Sequence, residues 1–182
     1  MPEKSLNFES EIDLDTLVTL FFSDASPVGG FEQVAAADLR EPFQTLLNHE
    51  SHMTVTVERH HQCPVDVTVL DMRQDGRFYS RKILLTRQSD NKVVQFGIVS
   101  IDTRALKPNV FDEIAQRKTP LGRILINHNV LRDVHLNNLY QITAGPELAK
   151  HFGIAEGETV AGRTAIIDCD GKPAIGLLEI VI

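Results

Sequence analysis

The chain has 182 residues, of which 42% are hydrophobic and 24% charged, with a formal net charge of -7. These values are typical of one globular domain with a proper core, which we predict over residues 1–182. The acidic balance and the absence of any Lys/Arg run argue against nucleic acid or an anionic membrane surface as a partner. No stretch approaches the roughly 18 to 20 apolar residues of a membrane helix. The N-terminus does not resemble a signal peptide, so a cytoplasmic protein is expected.

The first part of the chain predicts helices. Residues 1–12 are polar and are predicted to be frayed. Residues 13–22 predict a short helix, which the carboxylate of Asp13 or Asp15 could cap. Apolar residues at near-helical spacing then predict helix over residues 35–48, which Pro42 either interrupts or precedes as a helix start.

The apolar period changes to two in the next part of the chain. Alternation of apolar and polar residues predicts strands over residues 53–60, 65–71, 78–87 and 93–101. Turn residues separate these runs, so consecutive strands are expected to pair as antiparallel hairpins.

The last part of the chain predicts short helices and one more hairpin. The helices are expected over residues 109–116, 119–126 and 145–152. Thr119 is the predicted N-cap of the second of these helices, with Pro120 at its first position. Residues 160–169 and 174–182 predict two strands joined by an Asp-Gly turn. Because strands and helices do not alternate, the sequence predicts an α+β domain with a six-stranded antiparallel sheet and flanking helices.

Metal and redox chemistry have little support in the sequence. His49 and His52 are three residues apart, and residues 60–61 are both histidines, but no Cys or third His joins either pair at a telling spacing. No metal site and no cofactor are therefore expected. Cys63 and Cys169 are far apart in sequence. Free thiols are the default expectation in a cytosolic protein, and the sequence leaves a disulfide between them open.

Two opposite charges in apolar strands are the main candidates for function. Arg81 shares a predicted strand face with Tyr79, Ile83 and Leu85, and Glu179 lies within the apolar closing strand. Charges are seldom fully buried unless they are paired or functional. Arg81 and Glu179 could form a buried ion pair, lie exposed at a sheet edge, or line a pocket for a small anionic ligand, with Glu179 available for proton chemistry.

Four segments form an ordered set: His52-Met-Thr54, Arg77-Phe-Tyr-Ser-Arg-Lys-Ile-Leu-Leu85, Lys118-Thr-Pro-Leu-Gly-Arg123, and Gly162-Arg163 followed by the hairpin from Gly171-Lys-Pro173 to Leu178-Glu-Ile180. Together they resemble the chorismate lyases (chorismate pyruvate-lyases) over about residues 45–182. Each segment is weak alone, and the ordered set is fairly specific.

The resemblance implies a function and a set of site residues. It implies a six-stranded antiparallel sheet and the conversion of chorismate to 4-hydroxybenzoate and pyruvate without metal or organic cofactor, for the biosynthesis of aromatic-acid-derived cofactors. Arg81 would bind the ring carboxylate as a fork of hydrogen-bond donors. Glu179 would face the opposite end of the ring and assist proton movement. The backbone around Met53 and Leu121 would contact and cover the ligand.

One departure from the family concerns the second cation of the site. Typical members carry an arginine after the glycine of the fourth strand, whereas here Gly97 is followed by Ile98. The second carboxylate of the substrate would then need Arg132 or Arg163, or the substrate differs. Each of these arginines flanks an apolar segment and, taken alone, is more typical of a surface arginine than of a ligand clamp.

A second departure concerns the last hairpin. Between Gly171 and Glu179 it is one residue longer than in typical members. A slip of one residue moves a side chain to the other face of a sheet. The placement of Glu179 therefore depends on a compensating bulge or turn.

Two other classes of protein compete with the lyase. The predicted fold also resembles the effector-binding domain of one large group of bacterial transcription regulators, which bind a small molecule without turnover. The roughly 50 residues before the sheet are too few and too acidic for a winged helix-turn-helix domain, which favours a stand-alone binding protein over a one-chain regulator. A structural protein, in which Arg81 and Glu179 form only a core ion pair, is the third alternative. The oligomeric state is not set by the sequence.

Overall fold

The computed structural model describes Phe8 and residues 11–182. The α-helices in this part of the chain are α1 Leu14–Val18, α2 Phe43–Leu47, α3 Met53–His61, α4 Pro108–Ala115, α5 Leu121–Asn127 and α6 Pro146–Phe152. The strands are β1 Gly29–Val34, β2 Val65–Asp75, β3 Phe78–Arg87, β4 Val93–Asp102, β5 Arg132–Ala144, β6 Thr159–Cys169 and β7 Lys172–Val181. Short 3-10 helices cover Ala36–Asp38 and Thr103–Ala105.

All of these strands form one antiparallel sheet in the order β1-β5-β6-β7-β4-β3-β2. The predicted class, an antiparallel sheet with flanking helices, is thus confirmed, with seven strands in place of six. The hairpin of β6 and β7 turns through Asp170 and Gly171, which both have positive φ angles, at 51° and 79°. This backbone explains the Asp-Gly pair in the sequence, because aspartate tolerates and glycine favours that region.

The predicted strand over residues 53–60 is wrong, because this segment forms the helix α3. Its alternating β-branched residues have strand propensity, but tertiary contacts override propensity in a short segment. Met53 and Val57, one helical turn apart, are buried against the sheet. The helix ends at Gln62, whose left-handed backbone closes the last turn.

Two strands at one end of the sheet, β1 and β5, were not predicted from the sequence. β1 begins at Gly29, and β5 covers 13 residues between α5 and α6. The register of β5 against β6 shifts between Leu136 and Asn138, which marks a bulge. The bulge disrupts the regular alternation of buried and exposed side chains that predicts a strand.

The N-terminal third of the chain differs from prediction in its details. The region over residues 35–48 contains a 3-10 turn and the short helix α2, separated by a cis Glu41–Pro42 peptide, so Pro42 interrupts the helical region and directly precedes α2, as predicted. Asp13 caps α1 as predicted, since its carboxylate accepts a hydrogen bond from the Thr16 N–H at 3.1 Å. Phe8 and Ile12, within the segment predicted to be frayed, are buried in the core, and the other residues before position 11 lie outside the described residues.

The helices lie on both faces of the sheet. α1 and α6 pack on one face, around Phe96, Ile98 and Leu178. α2 to α5 pack on the other face, which carries Arg81 and Glu179 and which we call the site face. No helix of the described residues is long and apolar enough to cross a membrane. Both cysteines are free thiols.

Candidate functional site

Arg81 projects from β3 into the interior between the sheet and the helices of the site face. Its side chain shares that face with Tyr79, Ile83 and Leu85, as the alternation predicted. The residue is only 1% exposed, yet no carboxylate of the described residues pairs with it. One guanidinium N–H donates to the carbonyl oxygen of Ile114 at 3.3 Å, and Nε has no hydrogen-bond partner.

Burial without a counter-ion makes this guanidinium an unusual group. Desolvation lowers the pKa of Arg81 below its ordinary value, and the nearby Tyr79 partly opposes that shift. An arginine nevertheless remains charged in a protein. The structure therefore places a positive charge in a region of low polarity with donor capacity to spare, an arrangement that is chemically able to bind an anion.

A small cavity of about 40 Å³ adjoins Arg81 beneath the N-termini of α3 and α5. Four residues that the sequence predicted for a site line it: Arg81, Glu179, Met53 and Leu121. Arg81 and Glu179 thus face the same space without pairing with each other. Arg132 and Arg163, also predicted as ligand contacts, do not line it.

Arg163 is instead the partner of Glu179. The two side chains lie opposite each other on β6 and β7, and Nε of Arg163 donates to a carboxylate oxygen of Glu179 at 2.8 Å. Arg163 is 1% exposed and Glu179 is 7% exposed, so the pair is buried. The resemblance to the lyases implied a carboxylate in an apolar site that is available for proton chemistry. In the structure this carboxylate instead forms an ion pair with a neighbouring arginine.

The remaining donors of Arg163 hold the chain between α2 and α3. They reach the carbonyl oxygens of Leu47 at 3.3 Å, His49 at 2.6 Å and Ser51 at 3.1 Å. These bonds fix the segment that leads into His52 and α3. The Arg163–Glu179 pair therefore positions one wall of the cavity rather than offering a free cation to a ligand.

The two departures from the lyase pattern have structural explanations. Ile98 lies on the face opposite the site, in the core with Phe96 and Leu178, so an arginine in its place would point away from Arg81 in this register. The pairing of β6 with β7 shifts register between Ile167 and Asp168. This is the irregularity that the longer hairpin required, and it keeps Glu179 on the site face.

Arg132, at the start of β5, lies outside the cavity in an open groove of about 420 Å³. One of its guanidinium N–H groups donates to the carbonyl oxygen of Val130 at 3.2 Å. Among the described residues no carboxylate forms an ion pair with Arg132. The groove has apolar walls that include Leu131, whose surface is 69% exposed.

Two further polar residues of the cavity were not predicted as site residues, although His52 belongs to one of the four family segments. Gln95 on β4 is buried and its Oε1 atom has no hydrogen-bond partner. His52, at the N-terminus of α3, is 8% exposed, and its Nε2 atom also lacks a partner. Gln95 could have been recognised in the sequence, because it is a polar residue between the apolar residues Val94 and Phe96. His52 was obscured because the segment after it was predicted as a strand.

His52 is uncharged at neutral pH. Burial, and then the positive charges of Arg132 and Arg163, lower its pKa from 6.5 to about 4. The unfolded chain takes up this proton near pH 6.5, whereas the native chain takes it up only near pH 4. The contribution of His52 to stability is therefore fully present above pH 6.5 and is lost as the pH falls from 6.5 towards 4.

We therefore expect the free energy of unfolding to fall by about 2 kcal/mol between about pH 7 and about pH 5 on account of His52. His52→Gln should remove that part of the pH dependence, as measured by urea unfolding at both pH values. His49 contributes in the same direction, since burial also lowers its pKa. The difference between wild type and variant is thus the informative quantity, and equal slopes would show that His52 is charged in the native protein.

Comparison with known proteins agrees with this fold. PhnF from Mycobacterium smegmatis superposes with a TM-score of 0.53 at 8% identity, covering 72% of this chain and 63% of that one. A ligand-binding domain assigned to the GntR family of transcriptional regulators from Bordetella bronchiseptica superposes with a TM-score of 0.49 at 14% identity, covering 65% of this chain and 85% of that one. The C-terminal domain of the histidine utilization repressor from Pseudomonas syringae superposes with a TM-score of 0.45 at 12% identity, covering 64% of this chain and 90% of that one. No family model and no curated protein matches the chain in sequence.

The likeness to PhnF, which has a TM-score above 0.5, is a likeness of fold, the chorismate lyase-like fold, and not of activity. Two of the three structures carry the names of transcriptional regulators, and none is named as a lyase. The prediction that the chain is a chorismate lyase, an enzyme using Glu179 and Arg81, is therefore wrong.

Proposed function

We propose that this chain is a non-catalytic domain that binds small organic anions through a carboxylate, aromatic carboxylates among them. The observation that carries the proposal is the buried guanidinium of Arg81, which faces a cavity and has no carboxylate partner in the described residues. A sensory domain of the kind that controls a transcription regulator is the setting we propose for such binding.

Electrostatics favour an anion over a neutral ligand. A buried cation without a counter-charge is unfavourable, and a carboxylate placed beside it would supply the missing charge and accept the unused Nε–H. Glu179 would repel that carboxylate if it were alone. Its ion pair with Arg163 removes most of this repulsion.

The other cavity residues would provide contact and orientation. In this proposal Met53 and Leu121 cover the apolar part of the ligand from α3 and α5, and Leu177 forms the floor on β7. Gln95, whose Oε1 is free, would accept a hydrogen bond from a hydroxyl or amine of the ligand. The backbone around Met53 and Leu121 keeps the role that the sequence suggested, as a cover over the ligand.

The test compares carboxylates with neutral analogues of the same shape. Benzoate, 4-hydroxybenzoate and hexanoate, each at about 100 times its dissociation constant, should raise the free energy of unfolding by about 2.7 kcal/mol. Benzyl alcohol and hexanol should not, and Arg81→Met should abolish the effect. Chromatography after overnight incubation should return the carboxylates unchanged. Equal stabilisation by alcohols and acids, or full stabilisation of Arg81→Met, would contradict the proposal.

A further inference from the structure

The cavity beside Arg81 is too small for a ligand by itself. Ligand sites in proteins usually measure about 300 to 1,000 Å³, whereas this cavity measures about 40 Å³, room for no more than a few water molecules. The groove that holds Arg132 measures about 420 Å³. Any ligand that reaches Arg81 must therefore gain space from a neighbouring region.

His52 is the residue that the cavity and the groove share. It lines both spaces. The residue is 8% exposed, and its Nε2 atom has no hydrogen-bond partner to hold the ring in place. Being neutral, it also carries no charge that would anchor it. The side chain therefore separates the two spaces with few polar restraints on its position.

The contact between α3 and α5 is close where the two helices meet over the cavity. A Cβ atom on Gly122 would lie 3.0 Å from Oγ1 of Thr54 and 3.1 Å from Cβ of His52. The backbones can approach so closely because this position is glycine. A route between the helices at Gly122 is thus narrow, and the imidazole of His52 is the more easily displaced boundary.

The two spaces carry one cation each. Arg81 lies at the inner end and Arg132 lies in the groove, and among the described residues neither pairs with a carboxylate. Glu50 also lines the groove without forming an ion pair with Arg132. Between the cations the walls are largely apolar, with Val130 and Val134 on the groove side. Such a surface fits a molecule with an apolar middle and a negative charge at each end.

We propose that the cavity and the groove form one elongated site for a dianion, which becomes continuous when the ring of His52 moves aside. One carboxylate of the ligand binds Arg81 and the other binds Arg132. This inference rests on the proposed function, because it requires the Arg81 end to bind a carboxylate. It adds the class of ligand and assigns Arg132 as the residue that selects dianions over monoanions.

Aliphatic acids of increasing length test the span between the two cations. Succinate, adipate, suberate and sebacate are compared by calorimetry with butyrate, hexanoate, octanoate and decanoate, each dianion against the monoanion of equal length. Once the chain is long enough, the dianion should bind about tenfold more tightly than its monoanion, about 1.4 kcal/mol. Shorter pairs should show no such preference.

Arg132→Gln should remove the preference for dianions, and Arg132→Lys should retain part of it. Arg104→Gln is the control for the loss of one positive charge, because Arg104 is 65% exposed and lines neither space. Arg81-dependent binding of monoanions without a dianion preference at any length would overturn this inference and leave the proposed function intact. Failure of every acid to bind would overturn both.

Discussion

Arg81→Met is expected to make the free protein more stable while it abolishes ligand binding. A buried cation without a counter-ion opposes folding by several kcal/mol, and methionine fills a similar volume with an apolar chain. The hydrogen bond to the Ile114 carbonyl is lost in exchange. We expect a net rise of about 1 to 3 kcal/mol in the free energy of unfolding, and at least about a hundredfold loss of affinity for benzoate or hexanoate.

Arg163→Met is the matched control for Arg81→Met. Both arginines are 1% exposed and both lie on strands of the site face. Arg163 differs in having Glu179 and three carbonyl oxygens as partners. Arg163→Met should therefore lower the free energy of unfolding of the protein by about 3 to 5 kcal/mol. If Arg81 serves binding and not stability, urea unfolding should show a higher free energy of unfolding for Arg81→Met and a lower one for Arg163→Met. A comparable decrease for both variants would make Arg81 a structural residue.

This contrast separates a stability role from a binding role. A group that weakens the free protein and persists in its interior is typical of a functional site, where stability is sacrificed for activity. The proposed ligand would then restore the stability that the buried charge removes, because it would bind only the folded protein. If the proposed function is correct, the domain should be most stable when a ligand occupies the site.

The sequence predicted those elements whose local pattern and turn chemistry agree. β3 has the bounds that alternation predicted, and the Asp170-Gly171 turn placed the last hairpin correctly. Prediction from the sequence failed in α3, where tertiary contacts override the local pattern, and in β5, where a bulge interrupts the alternation. Such interruptions depend on partners that are distant in sequence, so a single segment does not reveal them.

Four of the six residues predicted for a site line one cavity, but the pairing of its charges was not predicted. Arg81 and Glu179 line one space, as their apolar strand contexts suggested. The partner of Glu179 is Arg163 because β6 lies beside β7 in a register that a bulge adjusts. Two residues on adjacent strands meet or miss according to that register. Sequence alone therefore left open which of the arginines would be free to bind an anion.

Glu179→Gln is expected to lower the free energy of unfolding by about 3 to 5 kcal/mol, because it leaves the charge of Arg163 buried without a counter-ion. The amide keeps the shape of the side chain and can still accept a hydrogen bond. The loss therefore measures charge rather than packing. Since Arg163 also holds the carbonyls before α3, loosening of that segment should reduce carboxylate affinity as well.

Asp90→Asn provides the comparison, because it makes the same change of carboxylate to amide in an ion pair with Arg87 whose aspartate side chain is 45% exposed. That variant should lose less than about 1 kcal/mol, as solvent screens an exposed pair. Urea unfolding of Glu179→Gln, Asp90→Asn and wild type at low and high salt distinguishes the cases. If both variants lose the same small amount, water reaches Glu179, and the Arg163–Glu179 pair does not hold the wall of the site.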